Sequence, residues 1–447
     1  MKGDSGGSPI RLAAMTKQSA VSGLGARIRK RRLEVRLTQT ELGEPELHSS
    51  YISLIESGQR QPSPEALGFI ADRLGTTVEE LLSGRPPGLE VELELQIHGA
   101  RRDTDQGRVQ EAEKSLLAVI KQARRHGLTR VEARAVEVLG AIAERTAGPE
   151  AALSHFEAAE ELWRSEPIHL RFDTVAGLAR CRQQLETPQL AIHLLDTYRR
   201  DLEGSDMAEP TALMRVHTAL IYPYFAAGLP EKAAEAAREA VRLETRVEDP
   251  EQLACMHLAV ARSLLYEGHH EDALASLRKA EEIYLAGGWR NRVAKAQINE
   301  AIVLSKQEDF GPAQQKLLSA LDILNGSPNQ LDEALALNEL GHVTRRLDDI
   351  SSALGYLERA RKLLEEGDII EQAFNEREIG ICLAPKDSKL AEIHLKSAVD
   401  LYRISGATAE LATTFKALGD LYAARGDTDL ALDALREGLA AVEERSA

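Results

Sequence analysis

Residues 49 to 60 read SSYISLIESGQR. Ser49, Ser50, Ser53 and Leu54 recur at the three- and four-residue spacing that gathers side chains on one side of a helix. Serine hydroxyls donate and accept, so they suit several base edges, whereas Leu54 suits the methyl group of thymine. Ahead of them, RIRKRRLEVR (Arg27 to Arg36) holds six cationic side chains and one anionic. Such cations, Arg27 and Arg31 among them, neutralise phosphates while a neighbouring helix touches base edges. The chemistry indicated is recognition of duplex DNA. Nothing comparable points to catalysis: the sequence has no phosphate-cradling glycine loop, no nucleophile elbow and no His/Glu metal pair. We therefore expect no enzyme activity, no metal and no cofactor.

Charge distribution sharpens this. The net charge is −16, which alone opposes a polyanionic partner. Residues 1–84, however, hold eleven cationic and ten anionic side chains, so the surplus of acid belongs to the remaining 363 residues. Hydrophobic content of 43% supports real cores, while aromatic content of 4% with abundant Ala, Leu, Glu and Arg predicts an all-α protein. Cys181, Cys255 and Cys382 lack metal or redox spacing and are expected to be buried thiols in a reducing compartment. No apolar run reaches the roughly 20 residues of a membrane span, and residues 1–22 lack an export-signal core, so a flexible tail and a cytoplasmic protein are expected.

The helices that position the serines are marked by their ends. A first helix is expected from Leu24, Ile28 and Leu33. Thr38-Gln39-Thr40-Glu41 is a capping box, and Pro45 keeps the second helix short. The third carries the serines and ends at Gly58. Ser63-Pro64 starts a fourth, and Thr77 to Glu80, a second capping box, starts a fifth.

Taken together, TQTEL, SSYISLIESGQRQPSPEAL and ADRLGTTVEELL resemble the Cro/C1-type (XRE family) helix-turn-helix DNA-binding domain, over residues 24–83. The resemblance implies a lambda-repressor-like domain, with boundaries set at 23–84. It implies that Gln39 contacts a phosphate, that Ser49, Ser50, Ser53 and Leu54 meet the major groove, and that Arg60 touches the backbone or minor groove. Thr38 and Tyr51 complete the DNA-facing set. It also implies a buried ion pair between Arg32 and Glu56. The sequence departs from the family pattern in a shorter turn before the third helix, with Pro45 in place of a glycine. His48 also stands where a Ser or Thr cap is usual, leaving Ser49 as an alternative cap that shifts the base-facing positions by one.

After a linker at 85–88 (RPPG), residues 89–447 repeat. Ala112, Ala152, Ala191, Ala233, Ala273, Ala313, Ala353, Ala391 and Ala431 are 38 to 42 residues apart, and seven residues after each stands a mostly small residue. Small residues two turns apart let helices approach closely, as stacked hairpins require, and nine units fill the segment. ALGDLYAARGDTDLALDALREGLAAVEE resembles a tetratricopeptide (TPR) repeat. That resemblance implies an α-solenoid whose first helices line a concave face open to a ligand. Asn299 and Asn338 fall within one residue of equivalent places in adjacent first helices and suit an extended peptide backbone; Arg377 and Lys416 lie near the same column and suit a carboxylate. His269 and His270 have no third metal ligand nearby, and Trp163 and Trp289 are expected to pack.

The joined reading is a transcription regulator. A homodimer binds an operator with inverted repeats in double-stranded DNA, and the repeats mediate dimerisation and sense a signalling peptide or small molecule. The alternative is a repeat scaffold that docks a partner protein, with DNA binding secondary.

Overall fold

The computed structural model describes residues 23–205, 209–325, 330–364 and 368–443. The tail expected over residues 1–22 lies outside them. The chain divides into two compact units, one running up to Ala100 and including Lys114–Ala135, the other formed by Arg101–Glu113 and the chain from Val136 onward. Residues 85–88 fall inside the first unit.

Five short helices open the first unit: α1 (Leu24–Glu34), α2 (Gln39–Gly43), α3 (Ser49–Glu56), α4 (Pro64–Arg73) and α5 (Val78–Ser83). Their ends follow local chemistry. The Thr38 hydroxyl accepts the Glu41 N–H at 3.2 Å while the Glu41 carboxylate accepts the Thr38 N–H at 2.7 Å. Glu44, ahead of Pro45, is extended at φ −67, ψ 143, and α2 stops before it. Ser63 caps α4 through the Ala66 N–H at 3.2 Å, with Pro64 in the first turn. At α5 the box is half made. Thr77 accepts the Glu80 N–H at 3.1 Å, but the Glu80 carboxylate takes the hydroxyl of Thr76. The residue preceding α3 is His48, which supplies no side-chain cap; Ser49 is the first helical residue, so the alternative cap is ruled out. Leu24, Ile28, Leu42, Ile52, Ile55, Leu67, Ile70 and Leu74 form the core of these helices.

Eighteen further α-helices follow among the described residues, as nine antiparallel pairs. They are α6 (Leu89–Asp105) with α7 (Val109–His126), α8 (Thr129–Thr146) with α9 (Pro149–Trp163), α10 (Phe172–Leu185) with α11 (Pro188–Glu203), and α12 (Pro210–Ala226) with α13 (Pro230–Arg242). Next come α14 (Pro250–Tyr266) with α15 (His270–Ala286), and α16 (Arg290–Lys306) with α17 (Phe310–Leu324). The last three pairs are α18 (Gln330–Arg346) with α19 (Ile350–Leu363), α20 (Ile369–Leu383) with α21 (Ser388–Ser405), and α22 (Thr408–Arg425) with α23 (Thr428–Glu443).

The recurring alanine is fully buried in the second helix of the first eight pairs and nearly so at Ala431. Four residues on, Leu116, Phe156, Leu195, Leu277, Leu317, Leu357 and Leu395 are buried as well, each contributing about 1.5–3 kcal/mol. Opposite them the first helix is stripped of side chain. A Cβ on Gly341 would lie 2.5 Å from Leu357 Cγ, one on Gly380 2.7 Å from Leu395 Cγ, and one on Gly140 3.0 Å from the Phe156 ring. Cys181 and Cys382 are buried, and burial pushes both thiols up to about 11. Cys255 departs from the expectation: it is only half-buried, 3.4 Å from the Tyr284 hydroxyl. Trp163 is buried, and Trp289 meets Tyr284 edge-on at 6.0 Å. No described helix is long and apolar enough to cross a membrane.

Candidate nucleic-acid interface and ligand face

Helix α3 buries Ile52, Ile55 and Glu56 and exposes Ser50, Ser53, Leu54 and Ser57. Ser49 and Tyr51 are half-buried beside them. What fixes its rotation is a salt bridge beneath it. Arg32 Nε and Nη2 donate to Glu56 Oε1 and Oε2 at 2.6 and 3.0 Å, a bidentate pair in which both side chains are at least nine-tenths buried. Burial alone would raise the Glu56 carboxyl; the hydrogen bonds from Arg32 and Gln39 outweigh it and hold the group below its ordinary value. The expected ion pair between α1 and α3 is therefore present.

Three side chains expected at DNA are partly committed elsewhere. Arg27 donates through Nε to Leu81 O at 2.8 Å and through Nη2 to Leu82 O at 2.6 Å, satisfying carbonyls at the C-terminus of α5. These bonds engage Nε and Nη2 of the guanidinium expected at a phosphate. Gln39 donates through Nε2 to Glu56 Oε2 at 2.9 Å, so its amide already bridges α2 and α3. The Thr38 hydroxyl is held by its capping role. By contrast Arg31 pairs with Glu34 at 3.3 Å near the surface, where such a pair is weak. Arg60 is exposed, with its guanidinium carbon 4.9 Å from the centre of the Tyr51 ring. Arg29, Lys30 and Arg36 are exposed too. Ser57, one turn beyond Ser53, belongs to the same exposed face and was not singled out from the sequence, although the helical spacing points to it.

In the repeats, the glycines that face the second helix fix a register. Asn338, Arg377 and Lys416 each stand three residues before one of Gly341, Gly380 and Gly419, so they share one column of successive first helices. Asn299 stands two residues before Ala301 and belongs to the next column. The expected ladder of Asn299 and Asn338 is not what these positions give. Asn338 is fully buried; its Nδ2 donates to Glu371 O and Oε2, both at 3.1 Å, and its Oδ1 accepts from Asn375 at 2.7 Å. It joins neighbouring first helices instead of facing solvent, because a buried amide must find partners within the protein. Asn299, half-buried, donates to Lys295 O of its own helix at 2.7 Å. Arg377 is buried and Lys416 exposed.

Beside Asn338, the Glu378 carboxylate takes His342 Nδ1, Arg345 Nε and Arg345 Nη2, each at 3.0 Å. Burial alone would push this carboxyl up; the hydrogen bond from His342 and the charges of Arg345 and Arg377 hold it down to about 2. Glu137, three residues before Gly140, is the counterpart of Asn338 in the second pair. Burial and the nearby Asp173 push it up to about 7, against a hydrogen bond from the Thr174 hydroxyl at 2.7 Å. Among the described residues no group of three or more His, Cys, Asp or Glu side chains is placed to hold a metal ion.

Comparison with solved structures places the fold. A Rap protein complexed with Competence and Sporulation Factor is 14% identical over 80% of this chain and 99% of its own, with a TM-score of 0.58. The apo form of the quorum sensor NprR from B. thuringiensis is 10% identical over 79% of this chain and 99% of its own, with a TM-score of 0.52. Aspartyl phosphate phosphatase F from Bacillus subtilis is 15% identical over 79% and 93%, with a TM-score of 0.51. At these identities the likeness is one of fold. No curated protein sequence matches the chain. Residues 23–83 match the family model described as helix-turn-helix domain, so the chain joins a helix-turn-helix domain to helical repeats of TPR-like fold.

Proposed function

We propose that this chain is a DNA-binding transcription regulator of the Cro/C1 (XRE) type, bacterial and cytoplasmic, whose TPR-like repeats receive a peptide or small-molecule signal. The observation that carries the reading is the exposed face of α3: Ser50, Ser53, Leu54 and Ser57 point outward from a helix anchored by the Arg32–Glu56 pair, with Arg60 at its end. A helix of small polar side chains flanked by arginines enters a major groove and is held there by phosphate contacts. One such module reads few base pairs, so useful specificity calls for a homodimer on an inverted repeat, with half-sites about 34 Å or a multiple apart. The quorum-sensor name of one structural neighbour and the factor bound to another support a diffusible signal as the ligand. Ligand binding across several first helices then shifts the balance between conformations of the repeats and so the affinity for the operator.

Replacing Ser50 and Leu54 together by Glu tests the reader. Retardation of promoter DNA by the full chain is expected to disappear; retention of sequence-specific binding removes α3 from that role.

A further inference from the structure

Arg377 combines a buried guanidinium with unused hydrogen-bonding capacity. Its side chain keeps about one tenth of its surface, on the column of α20 that continues at Lys416 of α22. The guanidinium carbon lies 4.9 Å from the centre of the Phe374 ring and 5.7 Å from that of Tyr402. Guanidinium carries five N–H groups in a planar fork, yet among the described residues Arg377 donates no hydrogen bond. Its ionic contact is long, Nε to Glu378 Oε1 at 3.5 Å, and the other oxygen of Glu378 already takes Arg345 and His342. Glu371, a further carboxylate of this cluster, is engaged by Asn338. The guanidinium rests on two rings and shares Glu378 with Arg345 and His342, and none of its nitrogens is sealed from solvent without a partner, so its free N–H groups are open to an acceptor from outside.

We infer that Arg377 is the anchor for a carboxylate group of the ligand, whose carbon skeleton lies against Phe374. This rests on the reading of the repeats as the ligand-binding part of the chain. The fork matches a carboxylate in bidentate geometry, and Lys416 is the exposed cation at the equivalent place of the next first helix. A dianion such as phosphate fits less well, because the ionised Glu378 carboxylate, 3.5 Å from Arg377 Nε, repels a ligand the more strongly the greater its negative charge. The carboxylate has two sources, the C-terminus of a peptide or a free organic acid.

The test is calorimetric titration of the full chain with four probes: the acetylated tripeptide Ala-Leu-Phe with a free C-terminus, the same peptide amidated, 3-phenylpropanoate, and inorganic phosphate. The free acid of the tripeptide is expected to bind at least about tenfold tighter than its amide, the scale of one charge-assisted pair, and Arg377→Gln to abolish that difference. Tight binding of phenylpropanoate as well assigns the site to free acids; its failure beside a binding tripeptide assigns it to a peptide terminus. Equal binding of acid and amide, preference for phosphate, or no binding of any probe at millimolar concentration overturns the inference. Should R377Q misfold, phenylglyoxal labelling of Arg377 in the wild-type chain, read by mass spectrometry, gives an independent answer: the free-acid probe slows it and the amide does not, and the absence of protection overturns the anchor. DNA retardation in the same preparation separates the two readings. Discrimination absent with DNA bound sinks only the anchor, whereas discrimination present with no DNA bound sinks the proposed regulator.

Discussion

Helices are the only regular secondary structure among the described residues of both 24–83 and 136–443, yet the two regions are stabilised in different ways. In the first region the helices are 5 to 11 residues long, too short to persist alone. Side-chain caps at Thr38, Ser63 and Thr77 start three of them, and one ion pair, Arg32–Glu56, links the first to the third. In the second region the helices run mostly to 13–18 residues, and most pairs are held by packing that recurs with the repeat: a buried alanine in the second helix and a buried leucine or phenylalanine four residues later, with α13, which has Ala237 there, and α23, where Leu435 is exposed, as exceptions. A single change in the first region therefore removes something with no substitute, while a change in the second strains one interface and leaves its neighbours intact. The first design suits a surface that must present side chains at fixed angles to a groove; the second suits a surface that can yield by small amounts at many interfaces.

Hydrogen exchange followed segment by segment breaks or sharpens this contrast. The largest effect is expected from Glu56→Ala, which leaves Arg32 buried without its partner and costs about 3–5 kcal/mol. Exchange should rise throughout residues 24–83 and stay unchanged over residues 250–443; a rise confined to α3 would show that the pair is not the keystone of the domain. Next comes pH. Glu137 is raised from 4.5 to about 7, so the folded repeats hold a proton that the unfolded chain has released. Stability should then fall as pH rises from about 4.5 through about 7, by on the order of a few kcal/mol, and Glu137→Gln should flatten that part of the profile of Tm against pH. Glu378, held down to about 2, acts in the opposite sense: its contribution is complete above about 4.5 and is lost as pH falls toward 2.

A smaller cost, about 1–3 kcal/mol, is expected for Ala313→Leu, which overfills a fully buried position in α17. Faster exchange should be limited to that pair and its immediate neighbours; a uniform rise along all the repeats would contradict nearest-neighbour stabilisation. Smallest is Thr38→Ala, at about 1 kcal/mol for a lost cap, read as fraying of α2. Its effect on promoter affinity should be modest, since Gln39 remains tied to Glu56.

Much of this is legible in the sequence. Short-range rules located the five opening helices, because a cap, a proline or a left-handed glycine acts within four residues. The alanine period set the number of hairpins. The miscounted features were the ones that depend on reach. Arg27 lies in a basic strip and reads as a phosphate contact; that its guanidinium also bonds carbonyls 54 and 55 residues further along the chain is not visible from that position. Asn338 and Asn299 read as a ladder, yet a shift of one position in register puts one of them in the interior and leaves the other at the edge. Arg377 was placed in the right column from its spacing, but its burial and its two aromatic neighbours were not visible there.

The sequence by itself determined where helices begin and end, that a cationic leading segment precedes an acidic array, and that small residues recur at the interval of a hairpin. Each of these is set by neighbours a few bonds away or by a period long enough to average out error. Only the tertiary structure decided which polar side chains of a face remain available. A hydrogen bond is made or lost within about 1 Å, and its partner here commonly lies 17 to 55 residues away, a precision that spacing along the chain does not carry.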